Sequence, residues 1–178
     1  MKTERAKPRK RRATTEPVTI DLVPARLKLN QILVPTDFSD NARKALLYAL
    51  RFAEQFGARV TLLHVVEPVA YPAELGSSAL WVPLISEEAL RKDAAKKLAA
   101  LSAALGRHEI KVDTLVRFGL PFHEIAAAAK ELRAGLIIVS THGYTGLKHV
   151  FLGSTAERVV RHAPCPVLTV RQHEHEFL

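Results

Sequence analysis

The chain alternates between short, wholly apolar runs and longer stretches whose apolar residues recur every three or four positions. From Gln31 onward, Ile32-Leu33-Val34-Pro35 is an apolar run closed by a proline, which predicts a first buried strand. Ser39 is placed to cap the helix that follows, with Ala42, Leu46, Ala49, Ala53 and Phe56 on its apolar face and Gly57 as its stop. Val60 to Val66 reads as strand two. Glu67 to Ile85, with its prolines, Tyr71 and Trp81, reads as a packed loop. Ser86, Glu87 and Glu88 open a long helix with the stripe Leu90, Ala94, Leu98, Leu101 and Leu105, ended by Gly106. Strand three is expected at Val112 to Val116. A helix with Ile125, Ala128 and Leu132 inward then starts at Gly119-Leu120-Pro121, where the missing proline N–H costs nothing. Leu136 to Val139 is expected as strand four. A glycine-bearing loop, a helix from Thr155 to His162, and strand five at Val167 to Val170 follow, with Pro164 and Pro166 bracketing the exit of that last helix.

Continuous apolar strands separated by helices argue for an α/β fold, a parallel sheet with helices on both faces. Its crossovers are expected to be right-handed. With five strands the sheet can be doubly wound, the chain reversing direction once. Ligands bind such sheets beyond the carboxyl ends of the strands that flank the reversal. The division expected is a basic, largely disordered tail at 1–28, one folded domain at 29–171 and a short C-terminal tail at 172–178. Residues 18–23 are a candidate for a short extended segment laid against the domain.

Composition refines this. Of 178 residues 48% are hydrophobic and 6% aromatic, a mix that favours helices on a buried sheet over an all-β sandwich. Formal net charge is +8, but residues 1–12 hold seven Lys or Arg against one Glu and so carry +6 of it. The basicity belongs to the tail. It offers a sequence-independent attraction for nucleic acid, but with no interleaved aromatic for base stacking the favoured reading is a solubilising, disordered extension. No apolar run approaches the ~18 residues of a membrane span, and no apolar signal segment follows the N-terminal charges, so a cytoplasmic location is expected. The single cysteine, Cys165, excludes an internal disulfide and reads as a small apolar residue beside a strand.

Polar residues collect at the expected strand ends. Strand one ends in Pro35-Thr36-Asp37 and strand four in Ser140-Thr141-His142-Gly143, with Gly146 and Gly153 further along the loop. Ser154 and Thr155 stand at a helix start, where free N–H groups and the helix dipole favour an anion. Asp37 suits acceptance from ribose hydroxyls or an amino group. A nucleotide could lie with its nucleoside near Asp37 and its phosphates near Gly153 to Thr155. The same residues admit a plainer reading: Ser154-Thr155-Ala156-Glu157 matches a capping box, and Asp37 and Ser39 can simply cap helix one. His142 is a phosphate neighbour or a packing residue. There is no Walker A motif, no G-x-G-x-x-G after strand one and no G-x-S-x-G elbow, and the histidines do not cluster with carboxylates at metal-ligand spacing.

Four blocks resemble universal stress proteins: Val34-Pro35-Thr36-Asp37-Phe38-Ser39, Leu62-Leu63-His64-Val65, the run from Ser140 through Gly153-Ser154, and the closing His162-Ala163-Pro164-Cys165-Pro166-Val167-Leu168-Thr169-Val170. The resemblance spans about 29–171. In that family's pattern a glycine, two residues, a second glycine and nine residues lead to Gly-Ser or Gly-Thr. Gly143 and Gly153-Ser154 fit it, whereas Ser140 stands where the first glycine does and brings a Cβ next to the expected ribose or phosphate. The resemblance implies a five-stranded parallel sheet of order 3-2-1-4-5. It implies binding of ATP through Pro35, Thr36, Asp37 and Val65 at the adenine and ribose and Gly143, Gly153, Ser154 and Thr155 at the phosphates; Val139, Ser140 and His142 complete the expected nucleotide-binding set, with Mg²⁺ or Mn²⁺ as an optional companion of the nucleotide. It also implies a homodimer paired through strand five, Val167, Leu168, Thr169 and Val170, an edge that would otherwise invite aggregation. The expected function is that of an adenine-nucleotide-binding regulatory or stress-response protein. The alternatives are a non-binding stress protein acting through its dimer or tail, and a weak ATP hydrolase, for which no arginine finger or metal carboxylate pair is evident.

Overall fold

A computed structural model describes residues 27–67, 86–105, 110–141 and 153–171. The tails, the stretch with Tyr71 and Trp81, Gly106, and the loop with His142 and Gly143 lie outside the described residues. The elements in chain order are β1 (Gln31–Pro35), α1 (Asp40–Phe56), β2 (Arg59–Val66), α2 (Glu87–Ala104), β3 (Val112–Phe118), α3 (Pro121–Glu131), β4 (Leu136–Ser140), α4 (Ser154–His162) and β5 (Val167–Val170).

The strands form one sheet in the order β3-β2-β1-β4-β5, every pair parallel. The doubly wound expectation holds. The chain runs outward from β1 through β2 to β3, then returns across the sheet to β4 beside β1. Burial on both faces follows from the two-residue period of the strands. Ile32, Val34, Val60 and Leu62 pack with Leu46, Ala49 and Leu98 beneath α1 and α2. Leu33, Leu63, Ile137 and Val139 pack with Ile125, Ala128 and Val159 beneath α3 and α4. Leu98 is fully buried, and a side chain of that kind contributes about 2 kcal/mol. Cys165 packs against the second cluster, and loss of hydration there pushes its thiol above the usual value.

Local chemistry sets the helix ends. Ser39 Oγ accepts from the Ala42 N–H and Ser86 Oγ from the Ala89 N–H, each the cap its sequence promised. Gly57 closes α1 in the left-handed region at φ +66°, where glycine bears no Cβ penalty. Pro121 opens α3 as expected.

Several expectations are corrected. β2 begins one residue earlier than expected, at Arg59, and β4 runs one residue further, to Ser140. β3 continues past Val116 through Arg117 to Phe118, because an edge strand tolerates a charge that pairs outside the sheet, here Arg117 with Glu131. α4 begins one residue earlier than expected, at Ser154. The capping box is absent. Gly153 is the N-cap, no side chain caps the helix, and Glu157 accepts from Arg161 at 2.8 Å rather than reaching back.

Candidate functional site: a cleft at the sheet's reversal point

The neighbouring strands β1 and β4 are the pair at which the winding reverses. A cleft of about 420 Å³ opens beyond their carboxyl ends, within the size range of small-ligand sites. Of the eleven residues singled out in the sequence for a nucleotide, nine line it: Pro35, Thr36, Asp37, Val65, Val139, Ser140, Gly153, Ser154 and Thr155. His142 and Gly143 fall outside the described residues.

Asp37 sits in the turn between β1 and α1. Its Oδ1 accepts from the Ser39 N–H at 3.0 Å and the Ser39 hydroxyl at 2.6 Å, so the plainer capping reading of Asp37 is partly right. Among the described residues none donates to Oδ2. The turn is tightly specified: Thr36 N–H continues the β1–β2 ladder by donating to Leu63 O at 2.8 Å, and Thr36 Oγ1 accepts from Phe38 N–H at 3.0 Å. Phe38 adopts φ +66°, a conformation a bulky side chain rarely holds without support.

The opposite wall is the start of α4. Thr141, fully buried directly after β4, ties this corner down. Its N–H donates to Val170 O at 2.9 Å, and its carbonyl accepts from Gly153 N–H at 2.7 Å. That approach is why Gly153 is glycine: a Cβ would lie 2.8 Å from the Thr141 oxygen, although φ −62° itself is open to any residue. The Gly153 amide is therefore committed to protein. The amides left at the helix start are those of Ser154, Thr155 and Ala156, the first-turn donors of a helix, for which no described residue provides an acceptor. With no capping side chain, these three donors and the dipole face the cleft end where an anion is most stable.

Sequence reasoning missed Leu63, His64, Glu67, Pro121, Ile125, Thr141 and Ala156 in the cleft wall. Pro121 and Ile125 arrive from α3, far along the chain, and only the return of α3 to β4 brings them here. Glu67 and His64 could have been found from their place at the carboxyl end of β2. Leu63, Val65, Ile125 and Val139 make one wall apolar, suited to a flat ring. Asp37 and Glu67 are the carboxylates of the described lining, on the β1–β2 side, and the α4 amides lie on the β4 side. The cleft is thus polarised, acceptors at one end and donors at the other.

Comparison with known proteins gives a consistent picture. The model of the universal stress protein family matches residues 28–171. Universal stress protein MJ0531 of Methanocaldococcus jannaschii is 38% identical over 149 residues, covering 82% of this chain and 84% of the relative. Universal stress protein YxiE of Bacillus subtilis is 33% identical over 146 residues, 80% of this chain and 99% of its own. Among solved structures, that of the Methanocaldococcus jannaschii protein MJ0577 superposes with a TM-score of 0.69 at 30% identity, covering 84% of this chain and all of its own. The universal stress protein from Archaeoglobus fulgidus in complex with dAMP, at 19% identity, TM-score 0.58, and coverage of 80% and 98%, shares the fold.

Proposed function

The chain belongs to the universal stress protein family, and we propose that it acts there as an adenine-nucleotide-binding regulatory protein, with ATP as a ligand it accepts. The observation that carries this reading is the polarised cleft at the sheet's reversal point, with Asp37 at one end and the uncapped start of α4 at the other. Asp37 Oδ2 is an acceptor for ribose hydroxyls, and the apolar wall of Val65, Ile125 and Val139 receives the base. The amides of Ser154, Thr155 and Ala156 hold a phosphate, supported by the two hydroxyls. The fold is one that holds dAMP in the Archaeoglobus fulgidus protein. Among the described residues no three His, Cys, Asp or Glu side chains gather to hold a metal ion. In this proposal Mg²⁺ or Mn²⁺ enters with the phosphates.

Binding is the function proposed, with slow ATP hydrolysis as the alternative activity of the same cleft. Association as a homodimer through the outer edge of β5 belongs to the same proposal, since among the described residues β5 ends the sheet and no strand pairs with the outer edge of Val167 to Val170. Calorimetric titration of the full chain with adenosine, AMP and ATP, each with and without Mg²⁺, tests the reading. Saturable binding that strengthens from adenosine to AMP supports it. Heat-free titrations with all three ligands would overturn it.

A further inference from the structure

His64 lies at the carboxyl end of β2, its Cα opposite Val116 of β3. Its ring is tied down from two sides. Nδ1 lies 2.8 Å from the Thr36 carbonyl oxygen, and the ring centroid is 4.5 Å from that of Phe38 at a tilt of 39°. A carbonyl oxygen only accepts, so Nδ1 carries the proton and the tautomer is fixed. Thr36 is itself buried. Without His64 its carbonyl would lose its one described partner.

The turn Thr36–Ser39 is tied down at several points. Thr36 N–H goes to Leu63, Thr36 O to His64, Thr36 Oγ1 to Phe38 N–H, and Asp37 Oδ1 to both donors of Ser39. Every described bond of this set holds the turn in place, and Asp37 Oδ2 remains unspent. Two of the constraints, the bond to Thr36 and the ring against Phe38, come from a strand 28 residues away in sequence. Phe38 also carries the positive φ, the one strained point of the turn.

We propose that His64 is a positioning residue for nucleotide recognition. By donating from Nδ1 to the Thr36 carbonyl and packing on Phe38, it holds the β1–α1 turn in the conformation that presents Asp37 to the ligand. This rests on the nucleotide reading of the cleft and adds a residue that need not touch the ligand. The role requires a donor one bond beyond Cγ. Asparagine offers one at that same position, whereas glutamine extends one carbon too far and leucine has none.

The test uses the full chain and three variants, H64L, H64N and H64Q, with two readouts. One is hydrogen exchange at the Phe38 and Ser39 amides without ligand. The other is affinity for AMP by calorimetry, with thermal unfolding confirming that each variant is folded. The expected result is faster exchange at both amides and roughly five- to tenfold weaker AMP binding in H64L and H64Q, with both restored towards wild type in H64N. Faster exchange with unchanged affinity would overturn the inference, as would equal losses in all three variants, which mark a packing role only. A wild-type chain that binds neither AMP nor ATP sinks the nucleotide reading itself, and the inference with it. Should H64L not fold, the contrast between H64N and H64Q alone decides.

Discussion

At the scale of single residues, Asp37 divides its two oxygens. Oδ1 fastens Ser39, the cap of α1, and Oδ2 is free of described partners. An Asp37→Asn substitution keeps an acceptor for Ser39 but removes the charge offered to ribose hydroxyls. It is expected to leave the melting temperature nearly unchanged while weakening AMP binding about tenfold, the range of a charge-assisted hydrogen bond. Calorimetry beside a thermal melt checks both halves. Gly153 behaves differently. Its Cβ-free approach to the Thr141 oxygen makes it structural first, so Gly153→Ala is expected to destabilise the fold by about 1–3 kcal/mol in urea unfolding. A stability equal to wild type would show that the corner relaxes freely. Substituting Gly153, valine above all, is for this reason a poor probe of binding alone. From sequence, Gly153 looked like a phosphate-contact glycine, because the contact that demands it comes from twelve residues back. No local pattern carries that information.

At the scale of elements, the start of α4 is the proposed anion end of the cleft. Gly153, at φ −62° and ψ 147°, already has the conformation that precedes a proline, and Ser154 is the first helical residue, where proline is tolerated. Ser154→Pro therefore removes one amide donor while keeping the helix, and Ser154→Ala removes only a hydroxyl. The proline variant is expected to lose most of the affinity gap between AMP and adenosine, and the alanine variant to keep it. Loss in neither variant would move the phosphate away from α4. Helices and central strands were legible in the sequence, since their periods and caps are local. Ser39, Ser86, Gly57 and Pro121 stand where the sequence placed them. The capping box misled because Ser-x-x-Glu fits the helix start one residue late. Closure by Gly153 N–H onto Thr141 shifts the cap backwards, and Arg161 takes the Glu157 carboxylate. β3 ran longer than its apolar pattern because Arg117 finds Glu131 beyond the sheet edge.

For the whole molecule, the sheet order joins two properties. Reversal between β1 and β4 makes the cleft, and the same order leaves β5 at an edge. Pro166 and Val170 direct their carbonyls at β4, so alternation turns the Thr169 N–H outward. Thr169→Pro is expected to shift the chain from dimer to monomer in light scattering while leaving the β4–β5 pairing whole, as edge strands accept proline on their solvent side. A wild-type chain that runs as a monomer at micromolar concentration would contradict the β5 dimer. The doubly wound topology was readable from strand and helix alternation together with the family resemblance. The far wall of the cleft, Pro121 and Ile125, was not, since it exists only once α3 has crossed back over the sheet.

The most direct test of the central claim is native mass spectrometry of the full chain as purified, followed by addition of AMP and of ATP with Mg²⁺. The account predicts a dimer that carries, or takes up, one adenine nucleotide per chain. A folded protein that arrives empty and stays empty with both ligands would contradict it, and would return the chain to a stress protein that works through its surfaces alone.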